Sequence, residues 1–182
     1  MKLTSSIVRL CLVYLGSCAV TLQRGHYSVP GLGANKQALL NAGGTTQDMA
    51  IAMIETEDLK ANYPLGDGRT EDTAVFGIFK QNWYTLRTHT KGFLGQSAED
   101  YQHGAVLNDD LKKDVKSLHD AEASLGFDAW AATQRYGTHG IDNPNVEDIQ
   151  YYKSTIEWIK RQLDNDPKYQ TDDTRFWVGP TA

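Results

Sequence analysis

The chain has 182 residues, 40% of them hydrophobic and 23% charged, which is enough for one globular domain with a real core and too little for two. Its formal charge of -5 at pH 7 excludes the basic surface that gathers nucleic acid or anionic cell-wall polymers. With 2 cysteines and 5 histidines, none at ligand spacing, it offers neither a disulfide framework nor a zinc site, and no metal or cofactor is expected.

Met1 to Ala19 carries a basic start (Lys2, Arg9), an apolar centre from Leu10 to Gly16, and small residues at Ser17 and Ala19. This is the pattern of a cleavable secretory signal, so the mature chain starts near Val20 and is expected outside the cell. The apolar run falls short of the ~20 residues that span a bilayer, so no membrane contact is expected after cleavage. Cleavage removes Cys11, Cys18 and two cations but no acid, which takes the formal charge from -5 to -7.

Val20 to Pro30 has no clear periodicity and reads as a lead-in. Gly33 to Ala42 reads as a short helix with Ala34, Ala38, Leu39 and Leu40 apolar, stopped by Gly43-Gly44. Thr45-x-x-Asp48 forms a capping box and starts a second helix at Thr46 that ends on Glu55. Ile51 and Ala52 share the Glu55 face, and the helix end is the negative end of its dipole. Both effects favour a protonated carboxyl, the state of a general acid near neutral pH. Asp67 stands in Leu65-Gly66-Asp67-Gly68-Arg69, a glycine-flanked turn beside a cation, which suits a carboxylate kept charged. Two carboxyls whose surroundings push their proton affinities apart make an acid and a base. Glu57, two positions along, is the rival for the acid.

Thr73 to Phe79 reads as a short strand, with Gly77 marking a close backbone approach. Trp83, Tyr84 and Leu86 continue its apolar run. His89 to Gly104 reads as a long surface loop. Leu107 to Leu125 reads as a helix capped by Asn108 or Asp109, with Leu111, Val115, Leu118 and Glu122 on one face and a solvated charged remainder. Asp128 to Tyr136 is a second short helix with Trp130 in the core, followed by a turn at Gly137 to Gly140 that carries His139. Val146 to Asp164 is a packing helix with a stripe of Ile149, Tyr152, Ile156, Ile159 and Leu163, and an extended tail around Phe176 and Trp177 closes the chain.

The run Phe76-Gly77-Ile78-Phe79-Lys80-Gln81-Asn82-Trp83 resembles the Tyr-Gly-Ile-Leu-Gln-Ile-Asn segment of animal-type lysozymes, and the upstream Glu55 is similar to their acid. The position of their second carboxylate falls on Val75, however, so the base must come from elsewhere. Together, Ala50-Ile-Ala-Met-Ile-Glu-Thr-Glu57, Tyr63-Pro-Leu-Gly-Asp-Gly68, Asn82-Trp83 and the near-terminal Thr171-Asp172-Asp173-Thr174-Arg175-Phe176-Trp177 resemble glycoside hydrolase family 134. Those are inverting endo-β-1,4-mannanases with a lysozyme-like fold.

The resemblance implies an α+β, lysozyme-like domain of several helices around a small antiparallel sheet. It also implies β-1,4-mannan or manno-oligosaccharides as the partner, with Glu55 as acid, Asp67 as base and Lys80, Gln81, Asn82 and Trp83 binding substrate. A neutral polysaccharide agrees with the acidic charge, and a monomer is expected. A lysozyme- or chitinase-like hydrolase of N-acetylated glycans and a non-catalytic secreted glycan-binding protein are the other two readings.

Overall fold

The computed structural model describes residues 22–180, and the leader read at Met1 to Ala19 lies outside them. In chain order the elements are β1 (Leu22–Ser28), α1 (Leu32–Asn41), α2 (Thr46–Glu55), β2 (Val75–Phe76), β3 (Gln81–Asn82), α3 (Trp83–His89), α4 (Val106–Asp109), α5 (Leu111–Leu125), α6 (Phe127–Tyr136), α7 (Thr138–Asp142), α8 (Glu147–Asn165) and β4 (Thr174–Pro180). β1 pairs antiparallel with β4, from Leu22 opposite Pro180 to Ser28 opposite Thr174, and β2 pairs antiparallel with β3, Val75 opposite Asn82. The fold is α+β, with helices around short antiparallel pairs and no cysteine among the described residues, compatible with the lysozyme-like expectation.

Helix α2 is the axis of the main core. The Thr45 hydroxyl accepts from the Asp48 amide at 3.2 Å and the Asp48 carboxylate accepts from the Thr45 amide at 2.7 Å, so two orphan donors are satisfied reciprocally. A cap of this kind contributes about 1 kcal/mol. Every residue from Met49 to Met53 is buried, because α8 covers one side of α2 and β4 packs on another. The α8 stripe Ile149, Tyr152, Ile156, Ile159 and Leu163 is buried as its 3.6-residue period requires, and Trp130 joins it in the core. A second core of Ala74, Phe76, Trp83, Leu86, Phe93 and Leu107 sits under the β2–β3 hairpin.

Several segments depart from the sequence reading for identifiable reasons. The lead-in is strand β1: almost all its side chains are exposed, so it has no alternation to read, and its order comes from a partner at the far end of the chain. In α1 the buried face is Leu32, Gly33, Lys36 and Leu39, while Ala34 and Ala38 are exposed. Lys36 is fully buried because its ammonium donates to three carbonyls, Tyr169 at 2.7 Å, Asp172 at 2.8 Å and Thr174 at 2.6 Å. The strand read at Thr73 to Phe79 shortens to Val75–Phe76, since Gly77 turns the chain at a φ of 73°. The surface loop read after His89 contains a 3-10 helix, Ala98–Ala105, reciprocally capped by Ser97 and Asp100.

The long helix read from Leu107 breaks at Asp110, whose carboxylate accepts from the Lys113 amide at 3.0 Å and caps α5. Asn108 is not the cap because it is spent on the hairpin, accepting from the Gly77 amide at 2.8 Å. The charged side of α5 is not wholly solvated either, for Asp114 is completely buried.

Candidate active site

Glu55 is the last residue of α2, and the chain leaves the helix at Thr56 in an extended conformation. Its Oε1 accepts a hydrogen bond from the Tyr152 hydroxyl at 2.7 Å. Burial pushes the carboxyl above its usual range, while the Tyr152 hydrogen bond, the charges of Arg135 and Lys80, and the Gln134 amide pull the other way. Burial wins, so the protonated acid is favoured there relative to a solvated glutamate.

The carbonyls at the end of α2 are not left bare. The Arg175 guanidinium donates to the carbonyls of Met53, Glu57 at 3.0 Å and Thr56 at 3.4 Å, a cation placed where the helix dipole is negative. The motif around Arg175 therefore fastens the end of the helix that carries Glu55. The carboxylate of the rival acid Glu57 pairs with Tyr27 and Arg175 and, unlike that of Glu55, accepts no bond from Tyr152. The Glu57 side chain is 62% exposed, accepts from the Tyr27 hydroxyl at 2.7 Å and stands 3.6 Å from Arg175.

Asp67 lies in a tight 3-10 turn, Leu65–Gly68, where Gly66 (φ 64°) and Asp67 (φ 56°, ψ 38°) are both left-handed. That backbone aims its carboxylate at the hairpin, where Oδ2 accepts from the Lys80 ammonium at 2.8 Å. Lys80 is itself left-handed, with φ 47°, and its ammonium stands 5.0 Å from the centre of the Tyr63 ring. Tyr63 in turn donates from its hydroxyl to the Gly77 carbonyl at 2.5 Å. Its phenol is held far above its usual range by burial and by the carboxylates of Asp114, Asp67 and Glu55. Glu55, Asp67, Lys80 and Tyr63 thus form one electrostatic neighbourhood.

The remaining substrate-binding expectations need correction. The Trp83 ring cannot stack on a sugar, because it is fully buried between Phe76 and Phe93 with its indole N–H donated to the Ser97 carbonyl at 2.9 Å. Gln81 is also inside, its Nε2 donating to the Asp114 carboxylate at 2.7 Å. Asn82 caps α3, accepting from the Thr85 amide at 2.8 Å and donating to the Thr133 carbonyl at 3.1 Å. Of the four, only Lys80 touches one of the two candidate carboxylates, that of Asp67.

Other residues at the site escaped the sequence reading. Gln134 donates from Nε2 to the carbonyls of Phe79 at 3.0 Å and Lys80 at 2.8 Å, gripping the turn that carries the lysine. Arg135 pairs with Asp148 at 2.9 Å and lies 5.3 Å from the centre of the Tyr152 ring. Asp114 accepts from the Ile78 amide at 2.7 Å, and burial pushes its carboxyl up to about 8. A Cβ added at Gly77 would lie 2.0 Å from that carboxyl, so only glycine lets the acid sit there. Tyr152 was visible as a member of the α8 stripe. The available signal was its hydroxyl, which needs a partner when buried. A cavity of about 190 Å³ is lined by Tyr152, Arg135 and the half-buried Trp177, and its lining includes neither Glu55 nor Asp67.

The Tyr152 contact carries a prediction of known sign. Its hydrogen bond favours the ionised form of Glu55, so Tyr152→Phe removes a pull toward ionisation and raises the proton affinity of the acid further. The alkaline limb of the kcat–pH profile is expected to move to higher pH, with kcat falling about tenfold as the carboxyl loses its orientation. A limb that moves to lower pH would show that another group governs it.

Residues 33–179 match the family model described as glycosyl hydrolase family 134. No curated protein matches the chain.

Proposed function

We propose, from the premise that this chain belongs to glycosyl hydrolase family 134 and is a glycoside hydrolase, that it is a secreted, monomeric endo-β-1,4-mannanase that inverts the anomeric configuration. The observation that carries this reading is the contrast between the two carboxyls. Glu55 is half-buried against a tyrosine hydroxyl in a setting that favours its proton, and Asp67 is ion-paired at a solvent-reached turn. The first suits a general acid and the second a general base.

The hydrogen bonds also suggest which oxygens act. Tyr152 occupies Oε1 of Glu55, which leaves Oε2 to carry the proton toward the glycosidic oxygen. Lys80 occupies Oδ2 of Asp67, which leaves Oδ1 to take a proton from water. In a single displacement the water attacks the anomeric carbon on the face opposite the leaving sugar, through an oxocarbenium-like transition state. Lys80 and Tyr63, beside Asp67, are the side chains best placed to meet the polysaccharide. The acidic surface agrees with a neutral polymer such as mannan.

The test is to incubate the protein with linear β-1,4-mannan and follow the products by proton NMR while they form. Manno-oligosaccharides released first as the α-anomer are expected. Products released as the β-anomer would replace inversion with a double displacement. Cleavage of chitin or peptidoglycan in place of mannan would move the substrate to N-acetylated glycans.

A further inference from the structure

We infer that Asp114 is a positioning residue for the base: from inside the core it sets the turn that carries Lys80, and through Lys80 the carboxylate of Asp67. The inference rests on the base role proposed for Asp67 above and adds to it the part that holds the turn.

The hairpin cannot hold this turn alone. Strands β2 and β3 have two residues each and are joined by Gly77 to Lys80, and an isolated pair even of longer strands is marginal in water. Two of the joining residues are left-handed, Gly77 at φ 73° and Lys80 at φ 47°, and a non-glycine residue persists there only where its surroundings fix it. Side chains of three helical elements do so. Asn108 of α4 accepts from the Gly77 amide at 2.8 Å, and Gln134 of α6 donates to the Phe79 and Lys80 carbonyls. Asp114 of α5 takes the remaining two donors: Oδ2 accepts from the Ile78 amide at 2.7 Å and Oδ1 from Gln81 Nε2 at 2.7 Å. Lys80 lies between Ile78 and Gln81, so the chain on both sides of the lysine is tied to one carboxyl.

Packing alone does not ask for a carboxyl here. Asp114 is fully buried, and among the described residues no cation pairs with it. A site that only needed filling would take an apolar side chain at less cost. What the carboxyl offers is two accepting oxygens aimed at two donors of the same hairpin. An amide offers one, so an asparagine would set its Nδ2 against either the Ile78 amide or Gln81 Nε2, donor against donor. Gln81 has no free way to turn its amide over, because Nε2 also donates to the Asp114 carbonyl at 3.0 Å. The other end of the turn is the candidate site. The Lys80 ammonium donates to Asp67 Oδ2 at 2.8 Å, with both side chains more than a quarter exposed. A lysine so exposed has many rotamers open to it, and a fixed backbone at its root removes part of that freedom before substrate arrives. Asp67 is then held by one oxygen with the other free for the reacting water, and a base misplaced by even about 1 Å loses much of its effect.

The test is a double-mutant cycle on the full chain with β-1,4-mannohexaose as substrate: Asp114→Asn, Lys80→Met and the two together, with kcat, KM and Tm measured for each. Asp114→Asn is expected to lower kcat about tenfold with KM within about twofold, since the base is misplaced while substrate still binds. In the Lys80→Met background the same substitution should change kcat by less than about twofold, because the side chain through which it acts is gone. A carboxyl that serves only the fold gives another pattern. Its loss lowers Tm, and kcat either stays within about twofold of the parent or falls by the same factor with and without Lys80; either result overturns the inference. If Asp114→Asn does not fold, Gln81→Met, which takes away one of the two donors and leaves the carboxyl, goes through the same cycle with the same expectations. The parent and Asp67→Asn are run alongside. A parent that leaves the hexaose intact, or an Asp67→Asn that stays active, defeats the proposed function and this inference with it. An active parent, an inactive Asp67→Asn and an additive cycle defeat the positioning role alone.

Discussion

Glu55→Gln is expected to lower kcat by about 1,000-fold or more while the protein stays folded, because the change removes the proton donor and little else. The amide has the shape of the acid, and its oxygen can keep the bond from Tyr152 that Oε1 accepts at 2.7 Å. Stability should move in a direction that identifies the group. A carboxyl that burial pushes upward binds its proton more tightly in the folded state than in the unfolded one. Folding stability then falls as pH rises from the unfolded pKa of a glutamate, about 4.3, through the folded value. The glutamine variant has no such loss. Its Tm should match the parent at pH 4 and exceed it at pH 8. A variant that keeps more than a tenth of the parent activity would remove Glu55 from the acid role and turn attention to Glu57.

The second large effect is expected at Asp67. Asp67→Asn should cost about 100- to 10,000-fold in kcat with KM little changed, since water loses its base while the turn keeps its shape. Asp67→Gly goes further as a diagnostic, because glycine adopts the left-handed backbone of this position without strain and opens space beside the anomeric carbon. Azide supplied to that variant should attack where water did and yield an α-mannosyl azide, which NMR distinguishes from the β-anomer. Azide should give no such product with Glu55→Gln, whose missing function is proton donation. A β-configured azide would mean that Asp67 is not opposite the leaving group.

What the sequence made legible was what local chemistry decides. The limits of α2 followed from the Thr45–Asp48 cap and the turn chemistry after Glu55, all within a dozen residues, and the structure has them at Thr46 and Glu55. The α8 stripe was legible for the same reason, since a helical period needs no knowledge of its partner. Trp83 and Gln81 were misread because an aromatic or an amide beside a glycosidase motif looks the same whether it faces sugar or a second core; only the packing of Phe76, Phe93 and Asp114 decides. Strand β1 was invisible because its order is lent by β4. Lys36 and Asp114 were read as parts of ordinary helices, and nothing nearby in sequence announces the carbonyls and amides that satisfy them. The motif around Arg175 was visible, but its task at the end of α2 was not.

That task bears on how the molecule comes into being. The residues that close the described fold stand far along the sequence from those they close on: β4 pairs with β1, the Lys36 ammonium waits for the carbonyls of Tyr169, Asp172 and Thr174, and the end of α2 waits for Arg175. Contacts of such long sequence separation must overcome loop-closure entropy before they return anything, so they form late. A growing chain can build α2 and its cap early, yet the helix end that bears Glu55 lacks its arginine until residue 175 has been made. A chain stopped short of residue 175 is therefore left with that helix end unfastened.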